Sequence, residues 1–253
     1  MTKTAAERPS YRTSHLGEGE GYHRKFFEHP YRAVIWEVEQ QILLEVLGRF
    51  VRDLSTARLL DFACGTGRVL SLLEGRVREA TGVDVSESML EVARGELRRS
   101  RLVLSDITRE ASLDRDRFDV IVAFRFFPNA EPELRDEVMA KLSSLLAPDG
   151  VLIFNNHLRC GSLRHLLRRV LFGLRIKGKR RDLHCMSDRE AAALAKRHGL
   201  ALSAQRCYGI LPIIKERRPL VPRRLLRAVE RWFAERRAGG PFASHAIYVL
   251  TRP

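Results

Sequence analysis

Three carboxylates and a glycine turn stand at intervals that suit a polar, partly cationic ligand. The turn is Asp61-Phe-Ala-Cys-Gly65-Thr-Gly67. Glycines at such a turn let backbone approach a ligand closely, and a helix starting there offers free N–H groups at its positive end. The dinucleotide fingerprint needs a further glycine where this chain has Leu70, so a pyrophosphate is not the expected ligand. Asp61, just ahead of the turn, favours a cation instead. Asp84 follows 23 residues later, where a carboxylate can accept hydrogen bonds from both hydroxyls of a ribose. Asp106 comes next, in reach of an adenine amino group. Together the three acids fit a ligand that carries an amine, a ribose and an adenine.

These residues need elements to hold them. Apolar residues recur at helical spacing from Tyr31 to Val51. Arg58–Ala63 reads as a buried strand that turns into a helix over Arg68–Leu73. A second strand, Ala80–Asp84, leads to a helix capped by Ser86 or by Ser88 with Glu91. Strands Arg101–Ser105 and Phe118–Phe124, a helix Pro132–Leu146 and a strand Val151–Asn155 complete the alternation. Strands alternating with helices imply a parallel, doubly wound sheet, with the three acids along its carboxyl edge. The pattern then breaks over Asn156–Met186. It resumes with a helix Ser187–His198 and a strand Leu200–Tyr208, breaks again over Ile210–Pro241, and ends in a strand Ser244–Thr251.

The ordered stretches Leu60–Gly67, Gly82–Leu90, Ser105-Asp106, Phe118–Val122 and Leu146–Ile153 carry a specific resemblance. The chain resembles the class I S-adenosylmethionine-dependent methyltransferases, in particular small-molecule enzymes with an LDxACGTG turn, over about residues 58–155. The resemblance implies an α/β, Rossmann-like seven-stranded sheet, mostly parallel with the last strand antiparallel, with helices on both faces and helical cap insertions. It implies a single domain over 1–253: a helical cover over 1–57, a cofactor core over 58–155, basic caps over 156–186 and 210–241, and the rest of the core over 187–209 and 242–253. The cofactor is then S-adenosyl-L-methionine. Gly65 and Gly67 would pass under its methionine part and Asp61 would face the ammonium. Asp84 would hold the ribose, Val85 and Met89 the adenine, Asp106 the adenine amine, and Ile107 the ring. Phe124 would border the site. Ala63 stands where the family has its first glycine. Tyr22, with His23, would belong to a segment folded over the cofactor.

The acceptor is less legible. Nucleic-acid amino methyltransferases carry Asn/Asp-Pro-Pro-Tyr/Phe after the fourth strand to grip a flipped base. Here the run is Phe124-Arg-Phe-Phe-Pro-Asn129, which disfavours base methylation. An acceptor hydroxyl would need a base, and His157, past the fifth strand, is the candidate, with a turn-stabilising histidine as the plain alternative. His157, Cys160, His184 and Cys185 lack zinc spacing, so no metal is expected. The four cysteines do not suggest a disulfide framework.

Charge separates the two parts of the chain. Residues 1–155 hold 22 Lys+Arg against 25 Asp+Glu, whereas 156–253 hold 23 against 6. Both interruptions are basic. The first has Leu163, Leu166, Leu167, Val170, Leu171 and Leu174 on one face, with arginines outside it. The second opens at Pro222, with Leu225, Leu226, Val229 and Phe233 inward. Following strands five and six, they are expected to cap the acceptor pocket and recruit an anionic or lipid-linked small molecule, through direct methyl transfer with oxygen favoured over nitrogen or carbon. An Arg-rich amphipathic helix also suits an anionic membrane surface. The competing expectations are an RNA methyltransferase using the basic half, and a cofactor-binding protein without transfer. The beginning Met1–Ser10 lacks a signal-peptide core, so the expected setting is cytoplasmic, with peripheral contact at the inner membrane surface.

Overall fold

The computed structural model describes residues 28–157, 185–211, 222–236 and 242–253, the short stretches 10–13, 159–162 and 165–167, and residues 17, 21, 170 and 240. Seven strands, β1 (Arg58–Phe62), β2 (Glu79–Asp84), β3 (Ser100–Leu104), β4 (Phe118–Ala123), β5 (Leu146–Asn156), β6 (Ala201–Tyr208) and β7 (His245–Thr251), form one sheet. Their order is β3-β2-β1-β4-β5-β7-β6. β1 to β5 pair in parallel, and β7 is antiparallel to both β5 and β6, so β6 shares the direction of the first five. The expected sheet is thus observed.

Its strands read as apolar runs because both faces are covered. Alternation sends Leu59, Val120, Val122, Val151 and Ile153 into one core, and Leu60, Ile121, Ala123, Leu152 and Phe154 into the other. The first core lies under α1 (Pro30–Phe50), α2 (Arg68–Leu73) and α3 (Glu87–Glu96); the second lies under α4 (Pro132–Leu145) and α5 (Asp188–Arg197). α1 is apolar around most of its circumference, with Val34, Ile35, Trp36, Val38, Ile42 and Leu43 buried. It packs between the sheet and α6 (Arg223–Glu235). Ser187 and Glu190 form a reciprocal capping box at the start of α5.

Three expectations need correction. β5 begins at Leu146, ahead of Gly150, because Leu146 already pairs with Phe118 before a register shift. Cys160 and Cys185 form a disulfide, with Cα atoms 5.3 Å apart. A parallel bridge between Arg159 and Met186 brings the two ends of the first insertion together, which sequence spacing does not reveal. The remaining cysteines, Cys64 and Cys207, are free. Of the second insertion the structure describes chiefly the helix, whose inward face differs from the expected one. α6 turns Leu226, Glu230 and Ala234 inward against α1 and β6, and leaves Leu225 exposed. Most of the first insertion, including His184 and Lys177–Arg181, lies outside the described residues.

Candidate active site

β1 lies between β2 and β4, so the chain diverges to opposite sides from the carboxyl ends of β1 and β4 and opens a crevice there. A cavity of about 120 Å³ occupies this crevice, against the roughly 10–15 Å³ one water needs. Its floor is the turn after β1. Ala63 and Gly65 have φ of 54° and 55° and Gly67 has φ of 80°, which tightens the turn before α2. Cys64 N–H still donates to Val83 O at 3.1 Å, keeping the turn tied to β2.

Asp84 ends β2 and links the two loops. One carboxylate oxygen accepts from Gly65 N–H at 2.8 Å and the other from Ser86 N–H at 2.9 Å. Each oxygen has further lone-pair capacity, so the aimed carboxylate can still accept from a ligand hydroxyl. Asp84, Val85 and Met89 all line the cavity, as do Ala63, Gly65, Asp106 and Phe124. Thr66 joins them. Its hydroxyl is buried and has no hydrogen-bond partner among the described residues, and the same holds for one oxygen of Asp61.

Four anticipated residues do not line the cavity. Asp61 is buried, sharing the Leu59 side of the sheet because side chains alternate along β1. Burial pushes its carboxyl well above the ordinary carboxylate range; Arg68 opposes the shift and Asp84 adds to it. Gly67 serves packing: a Cβ there would lie 2.8 Å from Leu97 Cδ1 and 3.3 Å from Ala93 Cβ, neither of which lines the cavity. Ile107 is buried in the second core. His157 is half-buried after β5 and contributes nothing to the lining. The end of β5 is given over to structural bonds instead. Asn155 Nδ2 donates to Glu39 at 3.0 Å, and Asn156 Nδ2 donates to Met186 O at 2.7 Å. Tyr22 and His23 lie outside the described residues.

The cover that the structure does describe is a short 3-10 turn, Tyr11–Thr13. Tyr11 N–H donates to Glu131 Oε1 at 2.8 Å, and its hydroxyl donates to Arg125 O at 3.1 Å. Arg12 pairs with both Asp106 and Glu137, and its Nη1 donates to Thr108 Oγ1 at 2.8 Å. Against the upward push of burial, the Thr108 hydroxyl and the Arg12 guanidinium hold the Asp106 carboxyl below its usual value. Tyr11 and Arg12 both line the cavity, and nothing in their polar surroundings marks them in sequence.

A family model described as a methyltransferase domain matches residues 59–150, the segment that supplies β1 to β4, the opening of β5 and most of the cavity wall. By this match, residues 59–150 are a methyltransferase domain. Over 100 residues it is 37% identical to a trans-aconitate 2-methyltransferase of Variovorax paradoxus, covering 38% of this chain and 37% of that one. Over 121 residues it is 28% identical to a ubiquinone biosynthesis O-methyltransferase of Coxiella burnetii, covering 47% of each. The matched stretches span about half the length of the curated relatives, or less. In fold alone, the magnesium protoporphyrin IX methyltransferase of Synechocystis aligns with a TM-score of 0.61 at 15% identity, over 88% of this chain and 87% of that one. The methyltransferase domain suits its cofactor on structural grounds. The Asp84 carboxylate is aimed by two N–H groups, Gly65 leaves open space where a Cβ would stand, and Thr66 brings an unsatisfied buried hydroxyl.

Proposed function

We propose that the protein transfers a methyl group from S-adenosylmethionine to an oxygen atom of an anionic small molecule. The cofactor, when bound, supplies a methyl group on a positively charged sulfur. Asp84 would accept from the ribose hydroxyls, Val85 and Met89 would contact the adenine, and Asp106 would meet its amine once Arg12 yields. Gly65, Ala63 and Thr66 would lie along the methionine part, with Asp61 stabilising the ammonium from beneath. Gly67 and Ile107 would support the turn and the adenine loop from behind. Phe124 would separate the cofactor from the acceptor.

Among the described lining residues there is no histidine, and Asp84 and Asp106 are both engaged. An acceptor oxygen that arrives already ionised needs no base, so acceleration would come chiefly from alignment and exclusion of water. His157 would then serve the turn after β5 in place of proton transfer. The names of the relatives, one for trans-aconitate and one for O-methylation, support oxygen as the atom methylated.

Peripheral contact with an anionic membrane in the cytoplasm belongs to the same proposal. Arg224 and Arg231 on α6, and Arg236 just past its end, are exposed beside Trp232 and Leu225, which are 47% and 54% exposed. Among the described residues no helix is long and apolar enough to cross a membrane.

The observation that carries the reading is the Asp84 carboxylate, held by two backbone N–H groups at the cavity wall. A hydrogen bond to a charged group contributes about 1.5–3 kcal/mol. Asp84→Ala is therefore expected to weaken S-adenosylhomocysteine binding at least tenfold in equilibrium dialysis, with the fold retained by circular dichroism. Unchanged binding would overturn the assignment.

A further inference from the structure

We infer that the Tyr11–Thr13 turn is an autoinhibitory strap, an inference that rests on the methyltransferase reading above. Arg12 holds the Asp106 carboxylate that the cofactor's adenine amine would use, so cofactor entry and strap closure compete. The turn is a unit of its own: Thr13 N–H and the Thr13 hydroxyl both donate to Ser10 O, at 2.9 and 3.0 Å. It touches both lips of the crevice. On one side Arg12 meets Asp106 and Thr108, in the loop after β3. On the other, Tyr11 bonds Glu131, just ahead of α4, and Arg125 O, while Arg12 pairs with Glu137 on α4. The Tyr11 ring adds an edge-to-face contact with Phe126, with centroids 5.5 Å apart. β2 and β1 lie between β3 and β4, so the turn bridges loops that the sheet holds apart.

The two oxygens of Asp106 are used differently. Oδ1 serves its own loop, accepting from Thr108 N–H at 3.1 Å and from the Thr108 hydroxyl at 2.6 Å. Oδ2 pairs with Arg12, and the exposed Arg109 stands 3.8 Å away from it. Arg12 and Asp106 both line the cavity, with side chains only 15% and 21% exposed. The guanidinium therefore fills room at the end of the crevice where the adenine would lie. An amine that reaches Oδ2 must displace it.

Competition of this kind has a definite sign. A ligand that binds only the open form loses affinity in proportion to the closed fraction, and by reciprocity that ligand opens the strap. A cover that closed on the cofactor would do the opposite: removing Arg12 would weaken cofactor binding, and the cofactor would shield the turn. Here removing Arg12 strengthens binding, and the cofactor exposes the turn. The peptide bond after Arg12 reads the difference, because trypsin must take the side chain that Asp106 and Glu137 hold in the closed form.

The test uses the full chain and S-adenosylhomocysteine, which lacks the sulfonium charge, so removing a positive residue does not itself change long-range attraction. Displacing one hydrogen bond to a charged group is worth about tenfold in affinity, and roughly threefold where solvent screens it. Arg12→Gln is therefore expected to bind S-adenosylhomocysteine about three- to tenfold more tightly than wild type by calorimetry, with the fold retained by circular dichroism. Tyr11→Phe, which loses the bond to Arg125 O and keeps the Arg12 charge, should shift the same way by a smaller factor. In wild type, saturating S-adenosylhomocysteine should speed tryptic cleavage after Arg12, followed by mass spectrometry. The strap is overturned if Arg12→Gln binds no more tightly than wild type, or if the ligand leaves the cleavage rate unchanged or lowers it. A gain in Arg12→Gln with none in Tyr11→Phe would also overturn it, in favour of a bare charge effect. Binding by Arg12→Gln where wild type shows none would be the strap at full strength. Absence of uptake in both wild type and Arg12→Gln would instead overturn the methyltransferase reading itself.

Discussion

At the scale of single residues, the two side-chain-bearing positions with positive φ among the described residues, Ala63 and Arg125, follow the neighbouring strands β1 and β4 and both line the cavity. Their strain has different sources. Arg125 is held by side-chain partners from other segments, whereas Ala63 sits in a tight turn that it shares with the positive-φ glycines Gly65 and Gly67. Replacing it with glycine removes the left-handed penalty of roughly 1–2 kcal/mol and adds back about 0.5–1 kcal/mol of unfolded-state entropy. Ala63→Gly is therefore expected to raise the unfolding free energy by about 0.5 kcal/mol in urea. Ala63→Val, with a branched Cβ at the same φ, should lower it by about 2 kcal/mol or more. Equal effects of the two substitutions would show that the turn relaxes out of the left-handed region. The same scale explains why Asp61 is so conspicuous in sequence and yet misses the cavity. One position earlier or later along β1 faces the other core, and a strand residue cannot choose its side.

At the scale of elements, the ends of the first insertion are fastened to the sheet by Arg159, Asp188 and the Cys160–Cys185 disulfide. Arg159 Nε and Nη2 meet the two oxygens of Asp188 at 2.8 and 2.6 Å, and the Tyr248 hydroxyl donates to Asp188 Oδ1 at 2.6 Å. Burial pushes the Asp188 carboxyl up, but these partners outweigh it and bring the value down from 3.8 to about 2. The folded value lies below the unfolded one, so the stabilisation is present above about pH 4 and is lost as pH falls toward 2. With the side chain one-third exposed, screening leaves about 1–2 kcal/mol. Urea unfolding of wild type and Asp188→Asn should differ by that amount at pH 6, and the gap should shrink by half or more at pH 3. A gap that does not change with pH would assign the effect to packing. None of this clamp is legible in sequence, because Arg159 and Asp188 are 29 residues apart and Tyr248 comes from a third element. The elements themselves were legible to within a residue or two, from β1 through α4 and again at α5. Apolar runs and helical spacing are local signals, and each was followed by a turn or a cap. The inward face of α6 leaves out Leu225, against its apolar spacing, and includes a buried carboxylate, Glu230. Glu230 accepts from the N–H groups of Gly209, Ile210 and Leu211 at 3.0, 3.1 and 3.0 Å, a use for an acid that periodicity counts as polar and outward.

At the scale of the whole molecule, the basic excess of residues 156–253 divides into two uses. Part of it docks the later half onto the earlier one: Arg223 and Arg227 pair with Glu37, Arg206 with Glu45, and Arg197 with Asp136. The acids of the near-neutral first half are thus counterparts to the arginines of the second, which the separate charge totals conceal. What α6 leaves outward is a narrower strip, Arg224, Arg231 and Arg236, with the Arg236 guanidinium 4.5 Å from the Trp232 ring centroid and Leu225 beside it. Tryptophan and leucine among arginines match the interface of an anionic bilayer, where the rings enter the headgroup layer and the guanidinium groups meet lipid phosphate. Each basic residue near such a surface contributes about 1 kcal/mol, falling off within a Debye length. Removing three of them should therefore weaken binding by about 3 kcal/mol, roughly a hundredfold. In flotation with phosphatidylserine-containing vesicles at low salt, the wild-type chain is expected to rise with the vesicles and to be released as salt increases. The Arg224→Gln/Arg231→Gln/Arg236→Gln variant should remain in the dense fraction, while Trp232→Ala should float less at every salt concentration. Because these positions point away from α1, all variants should melt within a few degrees of wild type. Equal flotation of wild type and triple variant would mean that this strip is only a solvated face. Flotation on purely zwitterionic vesicles would mean that lipid charge does not drive the contact.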